Sequence, residues 1–175
     1  MKVDYSRLHR LFYPQVPAIL SARSGGRVSA MPVVSYASVS ASPPLIVVAC
    51  DPASYTLKLA LASGAFSLCL LDRRRVQAME RLATTSGRDI ADKLSDAGLD
   101  HTTGKELKVP VIRGAEATLE CQLHSKRRLG DHILLVGLVK ACYASGKFSD
   151  FWDFKAYKPL LYTGWRGGMT TYEHG

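Results

Sequence analysis

Small hydroxyl side chains gather at two places in this chain, and what they offer chemically is anion binding without a fixed charge. VSYASVSASPP at residues 34–44 and DPASYT at residues 51–56 carry Ser35, Tyr36, Ser38, Ser40, Ser42, Ser54 and Thr56. They flank LIVVAC, residues 45–50, an apolar run of strand length. Hydroxyls both donate and accept hydrogen bonds, and the small residues beside them let a backbone come close to a ligand. The set reads as a phosphate cradle for a flat, largely apolar ligand such as a flavin nucleotide. Each serine taken alone serves equally well to satisfy a turn. Thr56 is placed to cap the short helix LKLALAS, whose N-terminal amides would face the same anion.

The elements that must position these groups read as strands in two blocks with helices between them. Residues 16–23 and 27–40 form a hairpin turning at Gly25–Gly26, and Pro43 and Pro44 stop its second strand. Gly64 ends the LKLALAS helix, and residues 65–71 return as a strand. Val76, Met79, Leu82 and Ala83 share one helical face. Ser86 and Asp89 have capping-box spacing and open a second helix, with Ile90, Leu94 and Ala97 inward and Gly98 closing it. Residues 100–109 read as a polar loop. In residues 117–125, Leu119, Cys121 and Leu123 alternate with Glu120, Gln122 and His124. Leu129–Asp131 turns that strand into residues 132–141. This is not the alternation of a doubly wound sheet, and no GxGxxG follows a strand. A mainly β, antiparallel barrel with inserted helices is the fold class expected.

Length and composition bound the function. A chain of 175 residues, 47% hydrophobic and 22% charged, is expected to be one globular domain over residues 1–175. Its longest apolar runs are too short to span a bilayer, so no membrane role is expected. MKVDYSRLHRLFYP lacks a signal-peptide core, and a cytoplasmic protein is therefore expected. Cys50, Cys69, Cys121 and Cys142 lie apart in apolar stretches without a CxxC, as buried free thiols do, and no metal site is expected. The net charge of +8 favours anionic partners. Its densest clusters are Arg73–Arg75, just after the N-cap candidate Asp72, and Lys126–Arg128. Neither is interleaved with aromatics as in single-strand nucleic-acid binders, and solubility explains both clusters as well as a specific role does.

Four segments, in order, resemble the flavin reductase-like family. They are RVSAMPVVSYASVSASPPLIVV, SYTLKLALASGAFSLCLL, VPVIRGAEATLECQL and GDHILLVGLV, which together cover most of residues 16–142. KPLLYTGWRGG is a weaker match to the family's closing segment. The chain departs from the common pattern at Ser29-Ala30, where Asn-Ala or Thr-Ala is frequent, and at Leu138, often acidic in the family. The resemblance implies an FMN-binding split β-barrel, antiparallel and Greek-key-like, forming a homodimer. It implies that NADH or NADPH reduces FMN, which passes electrons to free flavin, a partner oxygenase or another acceptor.

By that resemblance Ala30, Met31, Pro32, Val33, Val34 and Ser35 lie along the isoalloxazine, with Pro32 at a strand edge. Ser38, Val39, Ser40, Ser54 and Thr56 belong to the same cofactor site, the hydroxyls meeting the ribityl chain and phosphate. His132, after a Gly-Asp turn, is the catalytic candidate, to orient a nicotinamide or assist proton transfer. Trp165, Phe12 and Tyr13 either cover the partner subunit's flavin or pack at the dimer interface. His9, His101, His124 and His174 have no supporting context. A flavin carrier without enzymatic activity, a ferric reductase and, ranked last, a single-strand nucleic-acid binder are the competing functions.

Overall fold

The computed structural model describes residues 3–164 and 168–171. An exposed 3₁₀ helix, Tyr5–Phe12, precedes β1 (Ala18–Ser24) and β2 (Arg27–Val33). Then come β3 (Tyr36–Ala41), β4 (Pro44–Cys50), α1 (Tyr55–Ser63) and β5 (Ala65–Leu70). A 3₁₀ turn at Arg73–Arg75 leads into α2 (Val76–Thr84), followed by α3 (Lys93–Asp96), β6 (His101–Thr103) and β7 (Pro110–Ile112). The long pair β8 (Ala117–Leu129) and β9 (His132–Ala144) follows, and β10 (Leu160–Tyr162) and β11 (Met169–Thr171) close the order.

Seven strands form one antiparallel sheet in the order β2-β1-β5-β8-β9-β4-β3. The hairpin turn at Gly25–Gly26 is as expected, with φ of +57° and +75° that suit only glycine well. Its second strand is shorter than expected. It stops at Val33, and the chain resumes after residues 34–35 as β3 on the opposite edge of the sheet. Consecutive strands thus occupy the two edges of a curled sheet that pairing does not close. The Tyr36 hydroxyl donates to the Val16 carbonyl at 2.9 Å, tying the start of β3 to the entry of β1. Pro32 does lie on an edge strand, where its missing N–H breaks no ladder.

β1 is buried on both faces, and its alternation shows why. Ala18, Leu20 and Ala22 join Val48, Leu57, Phe66, Cys121 and Leu135 in one core. Ile19 points the other way, into a second core with Cys69, Met79, Leu82, Leu94 and Ile112, which seats α2 and α3 on the sheet. Gly137 lies where a Cβ would stand 2.7 Å from Cζ of Phe66, so the first core needs glycine there.

Three local expectations change. Ser54, not Thr56, caps α1: its Oγ accepts from the Leu57 N–H at 3.3 Å. The helix expected from Ser86 begins only at Lys93, capped by Asp92, which accepts from the Leu94 and Ser95 N–H groups at 3.1 Å. The reason is tertiary: the Ala91 carbonyl accepts from the Val28 N–H at 2.9 Å, which keeps residues 91–92 extended against β2. The polar loop of residues 100–109 also contains β6, paired with β7. Cys50, Cys69 and Cys121 are buried, and burial pushes the Cys50 and Cys121 thiols up to about 12; Cys142, by contrast, is exposed.

Glu120 departs furthest from its alternating pattern. A register shift between Glu120 and Cys121 buries both residues. The Glu120 carboxylate accepts from the backbone N–H groups of Lys105 (2.6 Å), Glu106 (3.0 Å) and Leu107 (2.7 Å) and from the Tyr143 hydroxyl (3.2 Å). Burial raises its pKa; these four donors outweigh that and hold it below the ordinary glutamate value. A carboxyl group with a lowered folded-state pKa contributes stability above its unfolded value and loses it as pH falls through the folded one. Glu120→Gln is therefore expected to cost about 2–3 kcal/mol at neutral pH. It should also flatten the loss of stability below the ordinary glutamate pKa, both read from urea unfolding across pH.

Candidate functional site

Beside edge strand β2 lies a cavity of about 800 Å³. Ser29, Met31, Pro32 and Val34 form one wall. Ser54, Tyr55 and Thr56, at the N-terminal end of α1, form the second. Glu80 and residues 82–88, the end of α2 and the loop after it, form the third, with Lys93, Tyr13, Pro17, Tyr162 and Met169 completing the lining.

Hydrogen bonds fix these walls to one another. Ser29 Oγ and Thr56 Oγ1, both buried, are 2.9 Å apart and join β2 to α1. The Arg27 guanidinium donates through Nη2 to the carbonyls of Gly87 (2.9 Å), Arg88 (2.9 Å) and Ile90 (3.1 Å), drawing the loop after α2 onto β2. Arg88 Nη2 donates to the Ala53 carbonyl at 2.6 Å and spans the mouth between the loop and α1. Gly87 makes the approach possible: a Cβ there would strike Ser29 Oγ and stand 2.9 Å from Cδ1 of Tyr55.

The cavity is electrostatically suited to an anion. The first turn of α1 leaves backbone N–H groups free to donate and carries the positive end of the helix dipole. Lys93 is 4% exposed, and its ammonium donates to the Leu82 carbonyl at 2.7 Å. Burial holds its pKa below the ordinary lysine value, with Asp96 pulling the other way. An ammonium with one neutral partner in a dry wall is positioned to donate further hydrogen bonds to an acceptor in the cavity. Met31, Pro32 and Val34 supply apolar surface opposite these donors.

The structure brings together Met31, Pro32, Val34, Ser54 and Thr56 of the residues expected at a cofactor. Ala30 and Val33 belong to the same strand but turn their side chains into the two cores. Ser35 is exposed outside the lining. Ser38, Val39 and Ser40 lie on β3 at the far sheet edge, because the chain breaks after Val33, and none of them lines the cavity. His132 starts β9 at the end of the β8–β9 hairpin. It is exposed, with Nδ1 2.8 Å from Asp131 Oδ1, and lies outside the cavity wall. Leu138 is also outside it. Arg73–Arg75 and Lys126–Arg128 are exposed away from the cavity; Arg74 turns back to its own cap, Asp72, at 2.8 Å. Trp165 and His174 fall outside the described residues.

Reading the sequence missed the third wall and Lys93. The signal was present in TTSGR, residues 84–88, a second hydroxyl-rich, glycine-containing stretch that the capping-box spacing led us to assign to a helix.

Residues 8–169 match the family described as "Flavin reductase like domain". The chain is 34% identical over 164 residues to an uncharacterised protein of Aeropyrum pernix, covering 93% of this chain and 62% of that protein, so it spans under two-thirds of that relative's length. It is 28% identical over 161 residues to a flavin reductase of Pseudomonas putida, covering 90% of this chain and 84% of that one. Among solved structures, an FMN-binding protein from Thermus thermophilus with bound 1-cyclohex-2-enone superposes with a TM-score of 0.79 at 30% identity, covering 91% of this chain and 87% of that one. The chain thus has the split-barrel fold of FMN-binding flavin reductases and belongs to the flavin reductase like family, a class of flavin oxidoreductases.

The packing of Gly87 generates a direct test. Gly87→Ala is expected to lower stability by about 1–3 kcal/mol through overpacking against Ser29 and Tyr55, read as a lower urea midpoint with an unchanged slope.

Proposed function

We propose that the cavity beside β2 holds FMN and that the chain acts as an NAD(P)H-dependent flavin reductase in the cytoplasm. One observation carries the reading. A single cavity gathers neutral hydroxyls, the first turn of a helix, a buried lysine and an arginine at one side of an apolar wall. That donor set fits the phosphate, ribityl and carbonyl oxygens of a flavin, and the apolar wall fits its ring. FMN when bound supplies the hydride chemistry; the protein supplies position and electrostatics.

In this proposal Ser54, Thr56 and the first-turn amides of α1 hold the phosphate end, helped by Arg88. Lys93 donates to an acceptor oxygen deeper in the cavity, and Ser29 orients Thr56 through their shared hydrogen bond. Met31, Pro32 and Val34 bound the ring and exclude water from one side. Ala30, Val33 and Ser35 act through the backbone of the same segment.

Ser38, Val39, Ser40 and His132 enter the proposal only through a homodimer that would bring a second chain's surface to this site. Uncovered apolar side chains support such a dimer: Tyr5, Leu11, Phe12 and Phe151 are all more than 60% exposed. A cytoplasmic setting is supported by the three buried free thiols. Reduced flavin would pass electrons to free flavin, an oxygenase or another acceptor, and the charge of +8 suits anionic flavin leaving and entering.

Purified protein is expected to be yellow, or to take up FMN with quenched flavin fluorescence, and to bleach when NADH or NADPH is added anaerobically. A colourless chain with no affinity for riboflavin phosphates defeats the reading; binding without bleaching favours a carrier. Thr56→Val is expected to weaken FMN by about 1–2 kcal/mol, roughly five- to thirtyfold in Kd, without unfolding the chain. His132→Gln should lower kcat while leaving FMN affinity unchanged; an unchanged kcat removes His132 from the proposal.

A further inference from the structure

His101 has no supporting context in the sequence, but the fold gives it one partner of consequence. Its Nε2 lies 2.8 Å from Oδ2 of Asp92, the residue that caps α3 and immediately precedes Lys93. A carboxylate only accepts, so the ring hydrogen is on Nε2. Burial raises the Asp92 pKa, and the bond from His101 leads the donors that hold it below the ordinary aspartate value. The other ring nitrogen, Nδ1, is buried with no hydrogen-bond partner. An apolar ring would fill the same space without that cost, so the imidazole is explained by its bond to Asp92.

The donors to Asp92 divide by origin. The Leu94 and Ser95 N–H groups and Ser95 Oγ (2.9 Å) belong to α3 itself and close its first turn. Among the described residues, His101 is the one side chain that reaches this carboxylate from another element. Its strand is fixed in turn. His101 pairs with Ile112 of β7, which is buried in the second core, and Thr103 Oγ1 accepts from Arg23 Nη1 at 3.3 Å. The bond from Val28 to the Ala91 carbonyl holds the chain just before the cap, and the burial of Leu94 sets the depth of α3. Neither sets the rotation of so short a helix, because apolar contact is non-directional and one backbone bond is a pivot. The bond from His101 is a second directional point. That rotation decides whether the Lys93 ammonium meets the Leu82 carbonyl in the cavity wall, as it does at 2.7 Å, or turns to solvent.

We infer that His101 is a positioning residue for the flavin site: through the Asp92 cap it aims Lys93 into the cavity, while lying outside the lining itself. The inference rests on the flavin reading of the cavity and adds the group that orients one of its donors.

A double-mutant cycle on FMN affinity, read by flavin fluorescence quenching with the full chain, tests this. His101→Phe keeps a flat ring but removes the donor, and His101→Gln keeps a side-chain N–H donor. Lys93→Met removes the ammonium at similar length. His101→Phe is expected to raise the Kd for FMN about three- to tenfold, and His101→Gln by no more than about twofold. In the Lys93→Met background His101→Phe should change the Kd by less than about twofold, since the group it acts through is gone. A second readout needs no flavin. Followed by NMR, Lys93 should titrate nearer the ordinary lysine value in His101→Phe than in the native chain or His101→Gln, because a rotated α3 releases the ammonium from the dry wall. An equal penalty from His101→Phe with and without the ammonium, or a Lys93 titration that does not move, overturns the inference. So does a Lys93→Met chain that binds FMN as the native one does, a result that leaves Ser54, Thr56 and the flavin reading standing. A native chain without affinity for FMN fails the flavin reading and the inference with it, unlike the outcomes above, in which the native chain binds. His101→Leu serves as a second variant without a donor, and circular dichroism of each variant separates loss of aim from loss of the fold.

Discussion

An edge strand leaves one row of backbone N–H and C=O groups without a partner, and β2 is such a strand. Here the chain covers that edge with its own loop. The Val28 N–H donates to the Ala91 carbonyl, and Arg27 reaches three carbonyls between Gly87 and Ile90. This tether brings the end of α2 opposite the start of α1 and leaves a cavity between them. It also keeps the chain extended up to Asp92, so α3 starts late enough for Lys93 to enter the cavity wall. Without that contact the hydroxyls of residues 84–86 and of residues 54–56 would belong to separate surface turns.

The placement of charge follows the same division. Carboxylates inside the protein are already satisfied by internal donors. Glu120 accepts from three amides and a tyrosine, while Glu116 accepts from Ser145 Oγ at 2.7 Å and Lys147 Nζ at 2.6 Å. Asp72 sits beside Arg74 and Lys147. The guanidinium groups of Arg27 and Arg88 and the ammonium of Lys93 have no such carboxylate partner among the described residues, apart from the more distant influence of Asp96 on Lys93. A protein of net charge +8 thus concentrates unpaired positive charge beside its hydroxyl-lined cavity rather than only spreading it over the surface. By Coulomb's law an anion at that place would be attracted by this charge in a partly dry environment.

Much of this was legible in the residues. The Gly25–Gly26 hairpin, the Gly64 helix end, the apolar run of β4 and the edge position of Pro32 all depend on backbone rules that act within a few residues. Ser54 and Thr56 were found because their hydroxyls flank such elements, whereas Met31, Pro32 and Val34 came from the resemblance to the flavin reductase-like family. Errors arose where a distant partner outcompeted a local signal. Ser86 and Asp89 have capping-box spacing, yet β2 holds the following residues extended. Glu120 alternates as an outward residue, yet a bulge turns it inward to meet amides in residues 105–107. The hydroxyls of β3 resemble those of the cavity in type, but a break at residues 34–35 carries them to the other edge of the sheet.

Local chemistry thus settled which residue types this chain could bring to an anion and which strands and turns would carry them, because hydroxyl content, glycine and proline act over short range. Whether those residues meet depended on sheet order, on the bulge at Glu120 and on the reach of Arg27 across about sixty positions, since pairing between distant segments is decided by which buried polar groups find partners when the whole chain packs. Lys93 illustrates the difference: its identity is plain in the string of letters, but only the folded walls around it make its ammonium a buried donor rather than a solvated surface charge.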